Sequence, residues 1–421
     1  MNSKWQFLLW RITRQTWFRS TLYCVLGAVT AIAALIVGPF VPTDYADRIG
    51  AGSVDTILTI LASSMLAVAT FSLTTMVSAY NAASNSTTPR AATLLIEDST
   101  SHNALATFIG AFLFSVVGIV LLSTRVYGGG GRLVLLAATI AVIVIVVATL
   151  LGWINKLSRL GRVGETIDEV EKVAQAALVD LARAPWMGGC ALDGLPEGAA
   201  PVHVDRVAYV QHVDLGRLQE IAESHDLQIH APARPGTFVE PERALMYVSG
   251  KPDESAADSL KGAFTLAGER TFVQDPRFCL IALSEIASRA LSPGVNDPGT
   301  AIDVVGTLVR LLVRFDREAS ESQASPAYDR IHVEPLSMDD LILDGFRPIA
   351  RDGAGNIEVS IRLRKALLSL AACQTPDLAK AAARMADDAL ARAAAGLVME
   401  QDVADLRAVQ RISTRFDRSR Y

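Results

Sequence analysis

The side chains able to do chemistry are thinly spread through this sequence. The six histidines (His102, His203, His212, His225, His230 and His332) are scattered, and among them only His225 and His230 stand within five positions of each other. The four cysteines, Cys24, Cys190, Cys279 and Cys373, form no CxxC pair and cluster with no histidine, so neither a zinc site nor a disulfide framework is expected. Isolated thiols of this kind fit a reducing compartment. The sequence has no GxxxxGK[ST] phosphate loop, GxSxG elbow, HExxH helix or EF-hand loop. No nucleophile stands beside a base, so the expectation is a protein that is not an enzyme and uses no cofactor or metal.

Two patterns remain. The first is a polar stripe: Thr56, Thr59, Ser63, Ala67, Thr70, Thr74, Ser78, Asn81 and Asn85 recur every three or four residues. On a 3.6-residue helix they share one face about 100° wide, opposite Ile57, Leu61, Met65, Val68 and Met76. The segment is long and apolar enough to cross a bilayer, and a polar face at that depth must meet protein or water. Small hydroxyl residues there can pack against a neighbouring helix. They can also line a pore enclosed by several copies of the chain. Thr59, Ser63, Ala67, Thr70, Thr74, Ser78, Asn81 and Asn85 are the pore-lining candidates.

The second pattern is Ser292-Pro293-Gly294-Val295-Asn296-Asp297-Pro298-Gly299-Thr300. Two prolines and two glycines in nine residues force a fixed turn. Asp297 before Pro298 is a helix N-cap with proline at the first helical position. Ser292, Pro293, Asn296, Asp297, Pro298 and Thr300 are therefore read either as a rigid corner or as a helix start that binds an anion or a carbonyl. Arg310 and Arg314 lie too far along the helix to complete such a site.

The elements that carry these patterns divide the chain in two. Of 421 residues, 51% are hydrophobic, and the excess lies in the first 155. Four stretches can each cover ~30 Å of hydrocarbon: about Ser20 to Phe40, Ile57 to Tyr80, Ala104 to Thr124 and Leu133 to Ile154. None contains Asp, Glu, Lys, Arg or His, which argues against a proton-coupled pump. The first run is too long for a signal peptide and lacks a small-residue cleavage site.

Lys4, Arg11, Arg14, Arg19, Arg90, Lys156, Arg159 and Arg162 fall on one side of these spans; Arg48, Arg125 and Arg132 fall on the other. Eight against three places both termini in the cytoplasm of a bacterial inner membrane. Trp5, Trp10, Trp17 and Trp153 suit its interfaces. A net charge of -5 gives no support to nucleic-acid binding.

The remainder reads as a cytoplasmic α+β region. Residues 161–200 form a connecting helix, Gly164 to Ala184, and a Gly/Pro linker. Residues 201–270 form a small β-rich module, with strands near His203–Val210 and Leu227–His230 and a Pro-Gly-x-Phe-Val turn leading into Leu245–Val248. That turn looks like the hairpin of lipoyl- or biotinyl-carrying modules, but no lysine occupies its tip, so a small structural β-barrel is expected. Residues 271–421 form a helical bundle: Pro276–Leu291, Ala301–Phe315, Met338–Ile349, Glu358–Cys373, Pro376–Gly396 and Gln401–Phe416. Ser325 to Pro335 reads as an irregular connection.

Three segments are similar to a known family. Phe71-Ser72-Leu73-Thr74 with Ser84 and Pro89-Arg90, Tyr209-Val210-Gln211-His212-Val213-Asp214, and above all Ala290 through Ala301 resemble DUF2254, a bacterial family of predicted membrane proteins. Gly299 stands where the family would carry a bulkier residue, and Met76 to Asn85 is more polar than its pattern. The resemblance implies architecture and brings no activity with it. The expectation is a multi-domain membrane protein: a four-helix transmembrane domain (1–160) followed by the cytoplasmic module and bundle. The stripe by itself fits helix packing somewhat better than a pore. Taken with the absence of coupling charges and a soluble domain large enough to act as a gate, it makes an oligomeric ion channel with a cytoplasmic regulatory domain the expected function. Its partners would be the lipid bilayer, further copies of itself and ions. A non-transporting scaffold or sensor that binds a partner or ligand is the alternative, and a membrane-anchored enzyme fits least.

Overall fold

A computed structural model of the chain describes residues 16–37, 51–96, 99–124, 129–157, 159, 161–250, 252–322 and 325–409. These divide into two compact units, one of 16–86 and 92–165, the other of 87–91 and 166–409. Lys4, Arg11, Arg14, Arg48 and Arg125, which enter the orientation argument, lie outside the described residues, as do Trp5, Trp10 and the end of the last expected helix.

The N-terminal unit consists of long helices: α1 (Thr16–Val37), α2 (Ala51–Ser86), α4 (Ser99–Ser123) and α5 (Gly129–Leu157); the short α3 (Pro89–Ile96) begins in the other unit. Among the described residues, three helices are long and apolar enough to cross a membrane: Ser53–Ser86, Thr100–Ser123 and Gly130–Leu157. Helix α1 covers most of the first expected span.

Helices α1 and α2 both pack on α4. Lipid is as apolar as leucine, so this packing rests on close van der Waals fit rather than on escape from water. Leu58, Phe108, Phe114 and Leu135 are fully buried there. The tightest approach is at Gly27, where a Cβ would lie 2.8 Å from the Gly110 carbonyl oxygen and 3.2 Å from Phe114 Cβ.

In the C-terminal unit, α6 (Val163–Arg183) leads into two sheets and then a bundle. The first sheet has the order β1 (Cys190–Ala191), β8 (Ile331–Val333), β4 (Gln228–Ala231), β6 (Met246–Ser249), β2 (Ala200–Val202). Strand β8 runs parallel to both β1 and β4, and the remaining pairs are antiparallel. The second sheet is β5 (Phe238–Val239), β3 (Ala208–Val213), β7 (Phe264–Ala267), all antiparallel, with an irregularity between Val210 and His212. Helices α7 (Leu215–Ser224) and α8 (Glu254–Gly262) accompany them. Val210, Leu218, Leu227, Ile229, Leu245, Met246, Val248 and Ile331 form one continuous core.

These sheets correct the expected β-barrel: no barrel closes. The hairpin expected from the Pro-Gly-x-Phe-Val turn does not form either, because β5 pairs with β3 while β6 pairs with β4 and β2. The 201–270 module is also incomplete by itself. It takes β1 from the linker and β8 from the stretch expected to be irregular, both too short to show alternation.

The bundle is α9 (Pro276–Ala290), α10 (Pro298–Glu321), α11 (Met338–Asp352), α12 (Ile357–Leu370), α13 (Pro376–Gly396) and α14 (Glu400–Ala408). Local chemistry sets the helix starts. Asp275, Asp297, Ser337 and Asn356 each accept a bond from the backbone N–H three residues on, and proline occupies the first turn of α9, α10 and α13. Leu280, Leu283, Val304, Leu308, Leu341, Phe346, Leu367 and Leu378 fill the interior, each worth roughly 1.5–3 kcal/mol on burial.

Candidate functional site

The second helix is one uninterrupted α-helix of 36 residues, so the polar residues keep their register along its length. Val54, Leu58, Leu61, Met65, Ala69 and Met76 are buried within the unit. Thr59, Ser63, Ala67, Thr70, Thr74, Ser78, Asn81 and Asn85 are all exposed, on the opposite side. Ile60, Leu66, Phe71, Leu73 and Val77 flank or interleave the stripe and are exposed as well. Packing within one copy of the chain therefore uses the apolar side of α2 and leaves the polar side uncovered.

The outward sides of α1 and α5 contrast with this. They present Leu22, Val25, Val29, Ile32 and Ile36, and Val144, Ile145, Val147, Leu151 and Ile154, all exposed and all apolar. Several stripe hydroxyls turn back onto their own helix: Ser63 Oγ donates to the Thr59 carbonyl (3.0 Å), Thr70 Oγ1 to Leu66 (3.1 Å) and Ala67 (2.9 Å), and Thr74 Oγ1 to Thr70 (3.0 Å). This satisfies their protons and leaves lone pairs facing outward.

The chain from Ser292 to Thr300 is a corner whose polar groups bond among themselves. Asn296 N–H donates to the Ser292 carbonyl (2.9 Å) and Asp297 N–H to that of Ala290 (2.7 Å). Asn296 adopts the left-handed backbone, φ +49°. Asp297 receives Thr300 N–H (3.1 Å) and the Thr300 hydroxyl (2.6 Å), which hold its carboxyl below the usual range. That carboxylate already occupies the positive end of α10, where an external anion would otherwise sit. Arg310 is spent on Glu171, forked at 2.8 and 2.6 Å. Pro293, Gly294 and Val295 are exposed.

The structure makes groupings that spacing did not. His230 and His332, 102 positions apart, face each other on β4 and β8 with ring centroids 5.0 Å apart. Burial, and then His332, lowers the His230 pKa. Among the described residues no group of three metal-binding side chains occurs. Arg90, read in sequence as a topology charge and as part of the family segment, is paired with Glu285. Burial raises the Glu285 pKa, with Arg90 acting against that rise. Arg234 is half-buried beside the first sheet; nothing in its sequence context distinguishes it from a surface arginine.

Comparison with known proteins fits the architecture. The sequence profile described as "Predicted membrane protein (DUF2254)" matches residues 13–369. The chain belongs to the DUF2254 family. The matched stretch takes in the stripe of α2, the strand at Tyr209–Val213 and the corner at Ser292–Thr300. Uncharacterized proteins of Mycobacterium bovis and of Mycobacterium tuberculosis are 32% identical over 116 residues, 26% of this chain. That stretch is 22% of their own length, so the chain spans about a fifth of the curated relatives it matches. No solved structure is recognisably similar.

Proposed function

We propose that this DUF2254 protein is an ion channel of the bacterial inner membrane, in which several copies bring the polar side of α2 around a common axis. In this reading four spans cross the bilayer, both termini lie in the cytoplasm, and the C-terminal unit regulates opening. One observation carries it: the only outward face of the long helices that is lined with hydroxyls and amides among the described residues is the α2 face that one chain leaves uncovered. A face of that character at bilayer depth needs protein or water opposite it. The reading involves no catalysis. Ions without coupling charges in the path would move down their gradient.

A second reading has its own support. Because Ser63, Thr70 and Thr74 donate to their own backbone, the stripe can also pack dry against the same stripe of another copy. The protein would then be a scaffold or sensor. Single-channel recording in planar bilayers, with wild type beside Thr70→Phe and Thr74→Phe, separates the two. Discrete currents that the phenylalanines block or resize are expected of a channel. Silence from folded, oligomeric wild type over a range of voltages would favour the scaffold.

A further inference from the structure

A cavity of about 250 Å³ opens in the C-terminal unit, where the end of α6, the β3–α7 junction and the approach to α9 converge. Leu181, Met187, Leu215, Val273 and Tyr328 supply mainly apolar walls, and Arg234, Arg183 and Asp180 supply the charges. Pockets for drug-sized molecules run to roughly 300–1,000 Å³, so this one suits a smaller ligand.

Arg234 is held in place but not neutralised. Its Nη1 donates to two backbone carbonyls, Pro185 (3.1 Å) and Glu334 (2.7 Å), which fixes the plane of the guanidinium. Among the described residues, Nε and Nη2 have no hydrogen-bond acceptor in the chain and no carboxylate forms an ion pair with the group. Asp275 is close, but Arg270 already forks onto both its oxygens at 2.7 and 2.8 Å. The Glu334 side chain is exposed to solvent. Asp180 and Arg183 also line the cavity and are exposed, and Arg183 is paired with Glu318.

A half-buried cation that no carboxylate pairs with directly, with the Glu334 and Asp275 carboxylates acting on it without a bond, is costly to keep. Burial lowers the Arg234 pKa to about 10, which leaves it charged at neutral pH. The wall beside it is strained too: Met187 sits at φ +58°, a region that non-glycine residues rarely occupy. Such strain gathers at sites that hold ligands.

We propose that this cavity binds a small organic monocarboxylate, its carboxylate forked on Arg234 and its apolar tail against Leu215, Val273 and Tyr328. A guanidinium with one edge anchored and the other open fits the two oxygens of a carboxylate. The apolar walls select against bare inorganic anions. The proposal is independent of whether the protein conducts ions, and its test measures binding alone.

Hexanoate is the probe, titrated calorimetrically into the full-length chain in detergent, with 1-hexanol and inorganic phosphate alongside. Saturable hexanoate binding is expected, at least about tenfold tighter than either control. Arg234→Gln should weaken it about tenfold or more, and Val273→Trp should abolish it by filling the cavity, with both variants checked by gel-filtration elution. Equal affinity for hexanol would reduce the site to a greasy hole, and equal affinity for phosphate would remove the tail from recognition. No binding of hexanoate, or binding unchanged in Val273→Trp, would overturn the proposal. If Arg234→Gln does not fold, the wild-type contrast with Val273→Trp still decides.

Discussion

His230 shows how one side chain can tie the C-terminal unit to pH. It is buried on β4 against His332, and both its burial and that neighbour lower its pKa. The unfolded chain, with an ordinary imidazole near 6.5, therefore takes up a proton at a pH where the folded one does not. Stability from this source is intact above about pH 6.5 and falls as the pH drops through that value toward the lower folded pKa. The thermal midpoint of the purified protein should fall between pH 7.5 and pH 5.5, and His230→Gln should flatten the slope. A slope unchanged in the variant would exclude His230 as its source.

At the scale of elements, α1 and α4 cross closely at Gly27, where a Cβ would lie 2.8 Å from the Gly110 carbonyl oxygen. Gly27→Val would place methyl groups against the Gly110 carbonyl and Phe114. Overpacking of this kind costs about 1–3 kcal/mol. The detergent-solubilised variant should melt several degrees lower, whereas Gly152→Val should be close to neutral, because a Cβ at Gly152 meets nothing within 4 Å.

Helices were the legible part of this sequence. Apolar length picked out the three helices able to cross a membrane, and proline preceded by a capping residue marked Pro298 as a helix start, with Pro276 and Pro376 also read as first residues of their helices. The sheets were legible only in part. Strands were expected where β3, β4 and β6 lie, but β1, β2, β5 and β8 have two or three residues each, too short to show a period of two, and β1 and β8 find their partners more than a hundred positions away. The α2 stripe was legible as a pattern, but which side it would face depended on the neighbours that cover the other side. Arg234 gave no signal, because burial is a property of the fold around a residue.

For the whole molecule, the uncovered side of α2 predicts association. In a Cys24→Ser background, Ala67→Cys should form an intermolecular disulfide in membranes under mild oxidation. Val144→Cys, on the apolar outward side of α5, should not. Cross-linking at both positions alike would mean random collision. Cross-linking at neither would count against an oligomer built on α2.

The placement of β8 between β1 and β4 has a consequence for biosynthesis. The sheet cannot close until Val333 has left the ribosome, although four of its five strands are complete by Ser249. At roughly 5–20 residues per second the gap lasts several seconds to a quarter of a minute. Throughout that time the apolar helices have already been made, and β1 and β4 stand open at their edges. A chaperone that shields strand edges would have its brief task there, and a chain cut short before Ile331 would keep both edges bare and become a substrate for quality-control proteases.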